Sequence, residues 1–156
     1  MRTAQVRDIL LEAGFANTEA SGAFSMYEYP SPRDRREQNI LTFIRATFHD
    51  PASHSRPSRS DGSFQMWINN RGSGRTAMVE STFHGVIDDA DVLLDAVNET
   101  LGRRLAIAVT ELVKWDDERL EGAPKGLVEM ANSPWEERHT AEIVLTDWLL
   151  EHGVVF

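Results

Sequence analysis

Apolar positions recur at helical spacing from the start of the chain. Val6, Ile9, Leu10 and Ala13 follow the i, i+3, i+4, i+7 rule, which predicts an amphipathic helix over residues 4–13. Gly14 suits the left-handed position after the last turn, and Phe15 can then fold back on Leu10 in a Schellman arrangement. Residues 16–21 read as a loop before Gly22. From Ala23 to Tyr29 the period drops to two: Phe24, Met26 and Glu28 alternate with Ser25, Tyr27 and Tyr29, the pattern of a strand. Pro30-Ser31-Pro32 stops it, and residues 33–37 read as a charged loop.

Residues 39–49 give the clearest strand. Ile40, Ile44, Ala46 and Phe48 fall on one face, and Leu41, Phe43, Arg45, Thr47 and His49 on the other. Residues 50–62 hold many turn formers and no period, so they form the longest loop. Ser63–Ile68 is a short strand with Phe64, Met66 and Ile68 in register, followed by a hairpin-type connection over Asn69–Gly74. Residues 75–87 alternate again. The middle of the chain is therefore a meander of about four antiparallel strands.

Asp88-Asp89-Ala90-Asp91 opens a helix, since acidic residues favour its N-terminal dipole. Its stripe is Val92, Leu93, Ala96, Val97, Thr100 and Leu101, and Gly102 is placed to end it. Residues 105–115 fit a helix through Leu105, Ala108, Leu112 and Trp115, and a strand through Leu105, Ile107, Val109 and Val113. That choice stays open. Residues 141–151 are similarly two-sided, but Ser133-Pro134-Trp135-Glu136 resembles a capping box with proline at the first helical position and favours helix. Residues 116–132 are acidic, contain Gly122, Pro124 and Gly126, and read as a surface connection. The expected fold is α+β: an antiparallel sheet of about four or more strands, with an N-terminal helix and C-terminal helices packed against it. No linker interrupts the pattern, so residues 1–156 are expected to form a single domain.

Composition narrows the function more than the fold. The 156 residues contain no cysteine, which excludes disulfides, thiol catalysis and cysteine-ligated zinc. The N-terminus has no apolar core of signal-peptide length, and no window approaches 18 uninterrupted apolar residues. A cytoplasmic protein, or one carried inside a virion, is expected. The net charge of −9 is unevenly spread. Residues 1–75 are net +2, and residues 76–156 are net −11. Fourteen of the 16 basic residues are arginine, with Lys114 and Lys125 the exceptions. Arginine makes planar two-point contacts with carboxylates that lysine cannot.

No catalytic motif emerges. There is no GxSxG elbow and no phosphate-cradling glycine loop. Thr47-Phe48-His49 and Thr82-Phe83-His84 repeat a tripeptide at two strand ends. With Asp50, His54 and Asp88 a His/His/carboxylate metal site can be drawn, but no fixed-spacing motif supports it. Solvent-facing histidines are the simpler reading, and no cofactor or metal is expected. The arginines stand out instead. Arg33, Arg35, Arg36, Arg56, Arg59, Arg71 and Arg75 all fall in or beside loops of the sheet. If those loops share an edge, they form a basic patch on an acidic protein. Its targets would be a partner's carboxylates, phosphates, or the acidic half of another copy of the chain. The net charge disfavours nucleic acid.

The stretch Leu127-Val128-Glu129-Met130-Ala131-Asn132-Ser133-Pro134-Trp135-Glu136-Glu137-Arg138, followed by Ala141-Glu142-Ile143-Val144-Leu145, resembles the closing part of phage tail-terminator and neck proteins. The preceding order of helix, antiparallel strands and helix is similar to theirs. The resemblance covers under a fifth of the chain. It implies a non-enzymatic ring subunit at a head–tail junction, with homo-oligomeric or other subunit partners, no membrane and no small-molecule substrate. It also implies a last strand where the capping box argues for helix. The alternative is an acidic inhibitor or immunity-type protein that masks a basic surface on a nuclease or defence protein. A hydrolase with a histidine metal site is the third class.

Overall fold

A computed structural model describes residues 1–51, 62–72 and 75–156. The chain divides into two compact units, Met1–Leu101 and Gly102–Phe156, and the boundary falls inside one long helix.

The first unit begins with helix α1 (Thr3–Glu12). Its apolar stripe buries Val6 and Leu10 completely. The helix ends as its sequence dictates. Gly14 takes φ +97°, Phe15 N–H donates to Leu10 O at 2.9 Å, and Gly14 N–H donates to Leu11 O at 3.0 Å. This is the Schellman pair. At the other end, the Thr3 amide and hydroxyl donate to Asp50 Oδ2 at 2.8 and 2.6 Å, which places a carboxylate on the positive end of the helix.

Five strands follow: β1 (Ala16–Ser21), β2 (Phe24–Tyr29), β3 (Thr42–His49), β4 (Ser63–Gly72) and β5 (Arg75–Val86). They form one antiparallel sheet in the order β1-β2-β3-β4-β5, a plain meander. The fold is α+β. Along one face, Tyr27, Ala46, Met66 and Phe83 lie in one cross-strand row. Tyr27, Ile44, Ala46, Phe48, Phe64, Met66 and Ile68 on this face are completely buried. Complete burial of a side chain of Ile or Phe size contributes about 1.5–3 kcal/mol. Burial also pushes the Tyr27 hydroxyl above the ordinary tyrosine range.

Several expectations need correction. Residues 16–21 are not a loop but the edge strand β1. Five of its six residues are exposed, so it needs no apolar face, and backbone pairing with β2 holds it. Residues 33–37 are not a loop either: they lie in helix α2 (Pro32–Gln38). Ser31 Oγ accepts from Asp34 N–H at 3.1 Å, proline occupies the first turn, and Asn39 closes the helix at φ +51°. Asn69 to Gly72, expected in a turn, continue β4 and pair with Met78 to Arg75.

Helix α3 (Ala90–Lys114) runs straight through Gly102. Glycine within a helix costs about 1 kcal/mol relative to alanine, too little to end one that is buried on both sides of it. The open choice over residues 105–115 thus resolves as helix, with Ile107, Ala108, Val109, Leu112 and Val113 buried. The expected connection over 116–132 contains a 3-10 turn (Glu118–Leu120) and helix α4 (Lys125–Ala131). Helix α5 (Glu137–Glu151) confirms helix for residues 141–151, but the capping box before it is not made. In the second unit Leu112, Val113, Leu120, Ala131, Leu145, Leu149 and Phe156 share a core. The Arg104 guanidinium, itself buried, donates to Phe156 O at 2.6 Å. Among the described residues no helix is long and apolar enough to cross a membrane.

Candidate functional site

In a meander, successive connections alternate between the two ends of the sheet. The β2–β3 connection, which carries α2, and the β4–β5 connection therefore lie at the same end. The register agrees: Thr42 faces Asn70, Gly72 faces Arg75, and Arg71 N–H donates to Leu41 O at 2.9 Å. Arg33, Arg35, Arg36, Arg71 and Arg75 belong to this end. Arg56, Arg59 and His54 lie outside the described residues. The chain that flanks their segment sits at the opposite end, where Phe48 faces Phe64 and Gly62 N–H donates to His49 O at 2.7 Å. The five described arginines of the seven therefore share one sheet end.

The five do not act alike. Arg35 turns inward. Its Nη2 lies 2.6 Å from Glu28 Oε2, its Nη1 donates to Pro30 O at 2.8 Å, and its guanidinium sits 3.8 Å over the Phe43 ring. Arg45 approaches Glu28 from the other side, Nη2 to Oε1 at 3.3 Å. The Arg35–Glu28 contact is close but not aligned as a hydrogen bond, so its attraction is mainly Coulombic. Glu28 is 6% exposed, and one carboxylate there holds two guanidinium groups against an aromatic ring. This cluster fastens α2 to the sheet. Arg33 is exposed and pairs with Glu37 at 2.9 Å along the helix, a contact of the kind that contributes about 0.3–0.5 kcal/mol. Arg36, Arg71 and Arg75 remain. All three are exposed, and none forms an ion pair with another described residue.

Acidic groups gather at the far end of β5. Val86 faces Ser63, and the chain then enters α3 through Asp88 and Asp89, where Asp89 Oδ1 accepts from Asp91 N–H at 2.8 Å. Asp91, Asp95 and Glu99 follow at four-residue spacing, all exposed on one stripe of the helix. Like charges at that spacing oppose the helix by about 0.2–0.5 kcal/mol per pair. No cation among the described residues is paired with them. Strand β5 thus runs from a cationic end to an anionic one. It is also an edge strand, with Met78 65%, Val79 47% and Val86 63% exposed.

No family model, curated protein or solved structure matches this chain.

The described histidines do not converge. Thr47 and His84 both face Gln65, so the two Thr-Phe-His repeats are out of step across the sheet. His49 packs on Phe24 with ring centroids 5.2 Å apart, and Asp50 is engaged by Thr3. Among the described residues no group of three His, Asp or Glu could hold a metal ion. In the second unit a groove of ≈ 310 Å³ lies between α3 and α5, lined by Leu105, Ala106, Ile143, Arg103, His139 and Glu142. Glu142 there already stands 3.6 Å from Arg138.

Sequence reading missed Glu28 and Phe43 as anchors, and the exposed edge of β5. A lone Glu on an otherwise apolar strand face, seven residues before an arginine, was the available signal for the first.

Proposed function

We propose that this chain is a non-enzymatic protein–protein interaction protein, in its sharpest form a self-assembling structural subunit similar in kind to those of phage tail terminators and necks. It would act in the cytoplasm or as part of a virion. The observation that supports this reading is the separation of charge between the two ends of β5, unpaired among the described residues: Arg36, Arg71 and Arg75 at one, Asp88, Asp89 and Asp91 at the other. Charges left unpaired inside a subunit are available to steer and orient contacts between subunits. Neither a cofactor nor a small-molecule substrate enters this reading.

Light scattering on the purified chain tests it. A mass above that of the 17.6 kDa monomer is expected at low salt, falling as salt screens the contacts. A monomer at every concentration and salt removes the assembling-subunit reading. The acidic stripe of α3 supports a second reading, an inhibitor or immunity-type protein that covers a basic partner. That reading predicts a monomer which retains one basic protein in a salt-sensitive manner, and loses it when Asp91, Asp95 and Glu99 are changed to Lys.

A further inference from the structure

We propose that β5 is the contact through which two copies of this chain join, edge to edge and antiparallel, about a two-fold axis perpendicular to the sheet at Ser81. The inference rests on the assembling-subunit reading and names its partner: a second copy of the chain.

The two edges of the sheet differ. β1 is six residues long, polar and almost wholly exposed. β5 is twelve residues long, and every residue from Arg75 to Val79 is exposed. A long edge strand carrying Met78, Val79 and Val86 on its surface offers backbone donors and acceptors to another strand, the situation that proteins ordinarily blunt with short strands or charges. Here Glu80 is the one acidic residue within the strand, and the two ends have opposite sign.

That polarity selects the partner and its direction. In a parallel pairing Arg75 would stand beside Arg75 of the other copy, and the acidic ends would also coincide. In an antiparallel pairing Arg71 and Arg75 of each copy meet Asp88, Asp89 and Asp91 of the other. The complement is satisfied twice by one symmetry operation, as an isologous contact requires.

Facing residues of an antiparallel pair lie on the same side of the sheet, so the axis passes through a residue position, and Ser81 is the central one that does not set Glu80 against itself. The register of β5 against β4 shifts between Met66 and Trp67 and between Ile68 and Asn69, which leaves Thr82 and Val79 as extra residues. Bulges twist an edge and oppose the addition of an ordinary straight strand. An axis at Ser81 sets Val79 of one copy opposite Phe83 of the other and Glu80 opposite Thr82, so the irregularities lie beside the axis and away from the charged ends. The same register sets Thr76 opposite Val86 and Arg75 opposite Ile87, with Asp88 just beyond. The resulting sheet has ten strands, and both of its outer edges are β1, so growth stops at two copies. A contact of this size belongs with the smaller interfaces, and an affinity in the micromolar range is expected.

Sedimentation velocity at low salt on the full chain and two charge variants tests the contact. One variant is Arg71→Glu with Arg75→Glu. The other is Asp88→Arg with Asp91→Arg, which spares the capping Asp89. All four positions are exposed, and circular dichroism checks that each variant is folded. The wild type is expected to form a dimer. Each variant alone is expected to dissociate at least ~10-fold more readily, and a one-to-one mixture of the two to recover the dimer, because both ends then meet opposite charge. If the wild type assembles and both variants assemble equally well, this contact is overturned while the assembling-subunit reading stands. If the variants are monomers and their mixture stays monomeric, the antiparallel arrangement is overturned. A wild-type monomer throughout overturns both.

Discussion

The same four-residue signal occurs twice in this protein and is used once. Ser31-Pro32-Arg33-Asp34 and Ser133-Pro134-Trp135-Glu136 both place serine, proline and, three residues on, an acid. At the first, Ser31 has extended backbone, its Oγ accepts from Asp34 N–H, and α2 begins. At the second, Ser133 N–H donates to Met130 O at 3.1 Å and Ser133 Oγ turns back toward Met130 Sδ at 3.7 Å. Glu136 stands at the helix boundary with helical backbone and no side-chain cap, and α5 starts a residue later. The difference lies in what comes before. Ser31 follows a strand and is free to stay extended, whereas Ser133 is still completing the exit from α4. A capping motif is a local permission, and the preceding element decides whether it is taken.

The largest break in this comparison is expected at Glu28. Glu28→Ala leaves Arg35 and Arg45 without their shared carboxylate and detaches α2 from the sheet, at a cost of about 3 kcal/mol in urea unfolding. The corresponding pair at the start of α5, Arg138 and Glu142, is more exposed and 3.6 Å apart. Next comes the end of α2: Asn39→Ala forces an ordinary side chain into φ +51° and should cost about 1–2 kcal/mol. Ser31→Ala removes the cap in use and should cost about 1 kcal/mol. Ser133→Ala and Arg138→Ala should each stay within about 0.5 kcal/mol. A loss at Ser133 equal to that at Ser31 would remove the argument from the preceding element.

The four strands that carry a two-residue period were legible from that period alone, although β3 is buried on both faces and β5 has no fully buried residue: Phe24–Tyr29, 42–49, 63–68 and 75–86 all appear in the sheet. The turn after α1 was readable down to its hydrogen bonds, since Gly14 and Phe15 leave the chain few other ways out of a helix. The edge strand β1 and helix α2 escaped for a shared reason. Neither buries an apolar stripe of its own, and both are held by what lies beside them. Residues 105–115 were ambiguous because Leu105 and its neighbours suit both periods. The buried set Ala108, Val109, Leu112 and Val113 shows the helical one in use. For the candidate site, the sequence placed the arginines beside loops but not at a given end. Strict alternation of a meander's connections would have set Arg33, Arg35, Arg36, Arg71 and Arg75 at one end. The inward turn of Arg35 was hidden, because its partner Glu28 belongs to the previous strand.

Helix α1 leaves the ribosome before the strands of the sheet, yet its starting amide is held by a carboxylate 47 positions downstream. At ten residues it is too short to persist alone in water. The cap that Asp50 gives to Thr3 therefore becomes available only after the end of β3 has been made, so α1 depends on a later part of its own unit to hold its first turn.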